Sequence, residues 1–362
     1  MKALLSCPFN SISDRPASHR SSQGVIYADM IRELGVDLDI NFGGKIRGYN
    51  RYKTLYVYHG NDWFGSLNLF GGLQSYANVA NIRAFSQFKG QVISLGCDFP
   101  PYHDMLSKRI LKAKETNKEI QPEWLEVDME NLRQMHVHAP TVKFPNITDK
   151  LVIGDSHSIC MYRPGWTINS VPFKTLNGAL NTGLETFITE VCPLDNVQSL
   201  ECYFGNIDVR HHLCRIEGDS IQNAILLAQR YVMAAEALPI KDISIYELLP
   251  LEHESRKLPG TGYYKGRPFW GSWEDRNAVR HAFNETVKNS VARVKFIEWT
   301  KYLLNSKGEL DFAYMEKPQS IHLSREFYPH WRPKIDLAPQ PLPAIDNSID
   351  YKNNTLENFF TV

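Results

Sequence analysis

Short apolar runs alternating with helix-length segments are the feature that most limits what this chain can fold into. Residues 3–6, 36–40, 54–58 and 91–95 each have strand composition. Between the first two lies 22–35, where Val25, Ile26, Met30, Ile31 and Leu34 recur at helical spacing. The pattern resumes after residue 150. Apolar strands are expected at 151–153, 199–204, 243–246 and 296–299. A helix is expected at 220–238 behind an Asp219 or Ser220 cap. That helix is apolar all round, which predicts burial against a sheet. Another is expected at 276–294, where Val279, Phe283, Val287 and Val291 recur every four residues. Strands that alternate with helices need crossover connections and form mostly parallel sheets, so the expected class is α/β.

A length of 362 residues exceeds one ordinary domain. Charged helices are expected at 103–118 and 122–136, and residues 137–150 carry Pro140, Pro145 and little periodicity. The expected division is therefore 1–149, 150–331 and a Pro-rich extended tail at 332–362. At 43% hydrophobic and 22% charged residues, the chain has enough apolar material for a real core and is not intrinsically disordered. Forty basic side chains balance forty acidic ones. That argues against a general polyanion binder, although a local basic patch survives the argument.

No apolar stretch reaches the length of a membrane span, and the four-residue run near the start is too short for a signal peptide. Six cysteines with no CxxC pair do not look like a disulfide framework or zinc site. Free thiols, a cytoplasmic location, no metal and no cofactor are the resulting expectations.

Three segments carry residues capable of chemistry. Gly154-Asp155-Ser156-His157-Ser158 directly follows a strand. A serine on such a turn can sit with its Oγ exposed and backbone N–H groups nearby, as a nucleophile requires. Phe204-Gly205-Asn206-Ile207-Asp208-Val209-Arg210-His211-His212 lies at a second strand end. Gln319-Ser320-Ile321-His322-Leu323-Ser324 supplies a late histidine that could take the serine proton. Asp208, Arg210 and His212 suit either a buried ion network or a substrate-anion site, and the residue types do not choose between them. Residues 251–274 lack periodicity and hold aromatics such as Tyr263 and Trp270. These could stack on a sugar or base, or serve as loop packing. The polar segment 7–23 follows the first strand and carries Arg15 and Arg20, a candidate anion site.

In their order and spacing, the three motif blocks resemble the SGNH/GDSL hydrolase superfamily over residues 150–330. The resemblance implies a flavodoxin-like three-layer α/β/α domain and a serine esterase or acyl-transfer activity on an acylated carbohydrate. It implies Ser156 as nucleophile, His322 as base, and an oxyanion hole from Ser156 N–H, Gly178 N–H and Asn206. Two positions depart from the family pattern. A strict Gly-x-Asn-Asp alignment puts Ile207 where the family has Asn. Gln319 stands where the family has the acid that orients the histidine. Gln cannot stabilise an imidazolium with a full charge, so Asp311 or Glu316 must replace it, or the site is a dyad or has drifted to binding. A fainter likeness links the first domain, through Tyr56-Val57-Tyr58 and Leu69-Phe70-Gly71-Gly72, to the nucleotide-sugar fold of phage DNA glucosyltransferases. It implies a Rossmann-like sheet. It also gives the alternative of a group transferase using a nucleotide-linked donor on DNA or a glycan.

Overall fold

The computed structural model describes residues 2–7, 19–42, 48–58, 88–95, 148–171, 174–253, 270–316 and 321–330. They form a mixed α/β structure with two parallel sheets. The first contains β1 (Lys2–Cys7), β2 (Asp37–Phe42), β3 (Thr54–Tyr58) and β4 (Gln91–Leu95), in the order β2-β1-β3-β4. The helix α1 (His19–Glu33) crosses from β1 to β2. Along α1, residues 22–31 are all buried, polar Ser22, Gln23 and Asp29 among them. A helix covered on every side needs neighbours on every side. One of these is the turn after the first strand of the second sheet, where Glu33 accepts the Gly165 N–H at 3.0 Å and the Tyr162 hydroxyl at 3.4 Å.

The second sheet contains β5 (Lys150–Gly154), β6 (Thr167–Ser170), β7 (Ser199–Tyr203), β8 (Asp242–Tyr246) and β9 (Lys295–Ile297). Their order is β6-β5-β7-β8-β9, and every pairing is parallel. Leu151, Val152 and Ile153 are wholly buried, as expected of a central strand covered on both faces. The short helices α2 (Leu176–Thr182) and α3 (Leu184–Val191) lead into β7, and α4 (Asn206–His211) follows it. The longer helices α5 (Ser220–Glu236) and α6 (Trp273–Ser290) pack together. Asp219 caps α5 by accepting the Ile221 and Gln222 N–H groups.

One expectation is corrected here. The 220–238 segment is not buried all round: Leu226 and Met233 are 49% and 72% exposed. Its buried face is Ala224, Leu227, Ala228, Tyr231, Val232 and Ala235, so small residues let the helix lie close to its neighbours on one side only. β6, α2, α3 and α4 were not among the expected elements. β6, α2 and α4 are seven residues or fewer, too short to show a period, whereas Leu184, Phe187, Ile188 and Val191 of α3 do recur at helical spacing. The helices expected at 103–118 and 122–136, the break at 137–147 and the tail from 332 lie outside the described residues.

Strand order places the chemistry. Adjacent strands β5 and β7 send their connections in opposite directions along the sheet, the first toward β6 and the second toward β8. The gap above their carboxyl ends is a topological switch point, where open parallel sheets bind ligands. Ser156 follows β5 and Gly205–Asn206 follows β7. Among the described residues, no helix is long and apolar enough to cross a membrane.

Candidate active site

Gly154 is required by close approach rather than by an unusual φ. A Cβ there would stand 2.2 Å from the Tyr203 carbonyl oxygen and 2.6 Å from Ser158 Cβ. The glycine lets β5 and β7 end side by side, with the Asp155 N–H donating to that same Tyr203 oxygen at 3.1 Å. Gly154→Ala is expected to destabilise the fold by about 3 kcal/mol, the upper end for an overpacked site. Urea denaturation checks this. An unchanged midpoint would mean the strands separate freely.

Asp155 then stops the strand. Its side chain accepts the His157 N–H at 2.8 Å and caps the short 3-10 helix Ser156–Met161. Its carbonyl accepts the hydroxyls of Ser158 and Ser170. Ser156 is thus the first residue of a pinned turn, 8% exposed.

The chain returns to Ser156 from far away. An antiparallel bridge pairs Met315 with Leu323, and the Glu316 N–H donates to the His322 carbonyl at 3.0 Å. His322 Nε2 lies 2.8 Å from Ser156 Oγ, across 166 positions of sequence. On the other edge of the imidazole, Glu316 Oε1 is 3.8 Å from Nδ1. That is ion-pair range, longer than a hydrogen bond. The Glu316 side chain is 3% exposed and that of His322 13%. Ser156 Oγ, the His322 ring and the Glu316 carboxyl therefore stand in line. Asp311, the other acid considered, instead caps a short turn by accepting the Ala313 N–H. Gln319 lies outside the described residues.

His157 lies beneath His322, the two rings stacked at 4.6 Å between centroids and 25° between planes. Its Nδ1 is 2.9 Å from Asp155 Oδ1. Burial pushes the Asp155 carboxyl up to about 7, against the opposing pull of the His157 N–H and the Arg210 charge. Burial and the positive charge of Arg210 hold the His157 imidazole well below its ordinary basicity. Both shifts run against an ion pair between the two groups.

Two expected oxyanion-hole groups are placed elsewhere. The Gly178 N–H donates to Thr175 Oγ1 at 3.0 Å and is consumed in capping α2. Asn206 is fully buried. Its amide oxygen accepts the Leu249 N–H at 3.0 Å, and its side chain faces the Asp155 carboxylate. The positive φ of Gly205 (111°) turns the chain so that Asn206 enters the interior. Ile207, at the strict family position for the Asn, is also buried.

The second motif is a scaffold. Asp208 accepts the N–H groups of Leu176 (2.7 Å) and Asn177 (3.2 Å), tying the start of α2 to α4. Arg210 is wholly buried. Its guanidinium donates to Glu252 (2.9 Å), the Pro250 carbonyl (3.0 Å) and the Asn206 carbonyl (3.3 Å), leaving no surface for a substrate anion. Sequence reasoning missed Glu252, which stands 42 positions away with no local signal. His212 is half-buried, and burial lowers its basicity. Trp270 is 45% exposed with the Arg215 guanidinium 5.9 Å from its ring centre. Tyr263 and Arg15 lie outside the described residues. Arg20 sits in the first turn of α1, and its side chain is not described. Among the described residues, no three His, Cys, Asp or Glu side chains converge as a metal site would require.

No protein-family model matches the chain, and no curated protein matches it. A solved chain from Streptococcus pneumonia, described as a candidate platelet activating factor, is similar at 17% identity with a TM-score of 0.37. The match covers 62% of this chain and 92% of that one. So low a score does not carry the functional reading, which rests on the site itself.

Proposed function

We propose that the chain is a serine hydrolase or acyl-transfer enzyme. Ser156 is the nucleophile, His322 the base, and Glu316 the acid behind the imidazole. The observation that carries this reading is the 2.8 Å approach of Ser156 Oγ to His322 Nε2. A serine hydroxyl is a weak nucleophile until a positioned base takes its proton. In the forward step Oγ attacks an ester carbonyl while Nε2 accepts the hydroxyl proton. The tetrahedral oxyanion then collapses, the imidazolium returns the proton to the departing alcohol, and an acyl-serine remains. Water or an acceptor alcohol, activated by the same imidazole, releases the acyl group.

Of the oxyanion donors expected from sequence, the Ser156 N–H at the start of the 3-10 helix is the one this reading retains. The Gly178 N–H caps α2 and Asn206 is fully buried, so this reading assigns the oxyanion to neither. The family resemblance makes acylated carbohydrates the first substrate class to screen.

A fluorophosphonate probe tests the reading directly. The folded protein is expected to gain one covalent adduct, mapped to Ser156 by peptide mass spectrometry, and Ser156→Ala is expected to gain none. Absence of an adduct on the folded wild-type protein, together with no hydrolysis of p-nitrophenyl acetate, would overturn it in favour of a binding scaffold.

A further inference from the structure

His322 arrives on a segment with little regular structure of its own. The bridge Met315↔Leu323 and the Glu316 N–H bond to its carbonyl fix its backbone. They do not fix the plane of its ring. Ser156 and Glu316 each meet one edge of that ring. The face is what His157 meets, at 4.6 Å and 25°.

His157 is suited to act as a fixed plane. It is the residue directly after Ser156, so any movement of the plane is tied to the nucleophile. Its side chain is 0% exposed. Its backbone N–H and ring Nδ1 both meet Asp155 Oδ1, at 2.8 and 2.9 Å. Its carbonyl accepts the Cys160 thiol at 3.0 Å. The Asp155 carbonyl is in turn held by Ser158 and Ser170. The plane is therefore anchored to the ends of β5 and β6. A ring this buried also stays neutral, so His322 can take up a proton without a like charge against its face.

We propose that His157 is a positioning residue: its buried ring supports the face of His322 and holds Nε2 on the line to Ser156 Oγ. The proposal deepens the serine-hydrolase reading and rests on it. His157 acts through His322 and touches no reacting atom.

Two substitutions separate ring support from simple anchoring. His157→Phe keeps a flat ring and loses the bond to Asp155. His157→Gln keeps a polar group within reach of Asp155 and loses the ring. The rate of fluorophosphonate labelling at Ser156 is expected to stay near wild type in His157→Phe. It is expected to fall by about tenfold to a hundredfold in His157→Gln, the range for a misplaced catalytic group. Nitrogen-15 NMR of the His322 ring gives a readout independent of labelling. A single Nδ1–H tautomer is expected in the wild type and His157→Phe, and an averaged tautomer in His157→Gln. The reverse order, with Gln near wild type and Phe impaired, would overturn the proposal, as would an averaged His322 tautomer in the wild type. If the wild type labels at Ser156 but the order is reversed, only this inference falls. If the wild type does not label, the hydrolase reading falls, and the NMR arm still decides whether His157 holds the ring.

Discussion

Glu316→Gln is expected to lower the turnover of an activated ester by about a thousand- to ten-thousand-fold, the loss seen when a triad acid becomes an amide. The reason is electrostatic and geometric together. In the proposed step His322 takes the Ser156 proton and becomes a cation, with the Glu316 carboxyl 3.8 Å from its Nδ1. An ionised acid there stabilises the cation and holds Nδ1–H toward itself, which leaves Nε2 free to accept. A neutral amide does neither well, and it can present its NH2 group to Nδ1 and impose the wrong tautomer. The variant is close in shape, so folding should survive and circular dichroism should match the wild type. Gln319→Ala is the control, and it is expected to keep most activity. Equal turnover in Glu316→Gln and the wild type would remove Glu316 from the mechanism. A large loss in Gln319→Ala alone would return the orienting role to the position the family pattern favours.

Glu252→Ala is expected to cost about 3–5 kcal/mol of stability, because it strands a buried charge. The Arg210 and Glu252 side chains are both 0% exposed, with Nε and Oε2 2.9 Å apart. Removing the carboxylate leaves a guanidinium in the interior with only carbonyl dipoles for company. The loss should appear as a lower urea midpoint with an unchanged slope. Because Arg210 also contacts Asn206, which faces Asp155, the effect should spread to the turn that carries Ser156. A double variant, Arg210→Met with Glu252→Leu, should recover much of the stability, since two apolar side chains of similar volume avoid the desolvation problem. A shift below about 1 kcal/mol for Glu252→Ala would mean that water reaches the guanidinium and the pair is not truly buried.

The parts legible in sequence are those whose cause is local. Leu151-Val152-Ile153 is an uninterrupted apolar run, and a strand buried on both faces reads that way wherever it occurs. Val279, Phe283 and Val287 mark α6 because helical period is a property of the chain itself. Gly154, Asp155 and Ser156 declare a turn after a strand, since each residue type answers a local backbone demand. The short elements β6, α2 and α4 gave no such signal, because their placement comes from neighbours rather than from periodicity.

What no local pattern contains is partnership across the chain. Sequence nominates Ser156 and His322 by residue type and motif order, while their 2.8 Å approach depends on a loop folding back over 166 positions. It offers Gln319, Asp311 and Glu316 as acids or substitutes, and the bridge Met315↔Leu323 is what brings Glu316 beside the imidazole. It leaves Arg210 open to a substrate or a network, and burial against Glu252 decides that. It names Gly178 and Asn206 for an oxyanion hole, and a local cap takes the Gly178 N–H while packing buries Asn206 with its amide oxygen on the distant Leu249 N–H. The sequence thus determined most of the strands, the turn and the candidate reactive side chains, because secondary structure and turn chemistry arise from neighbours in the chain. Which of those side chains face each other was left to the tertiary structure, because contact and desolvation are set by the packing of distant segments.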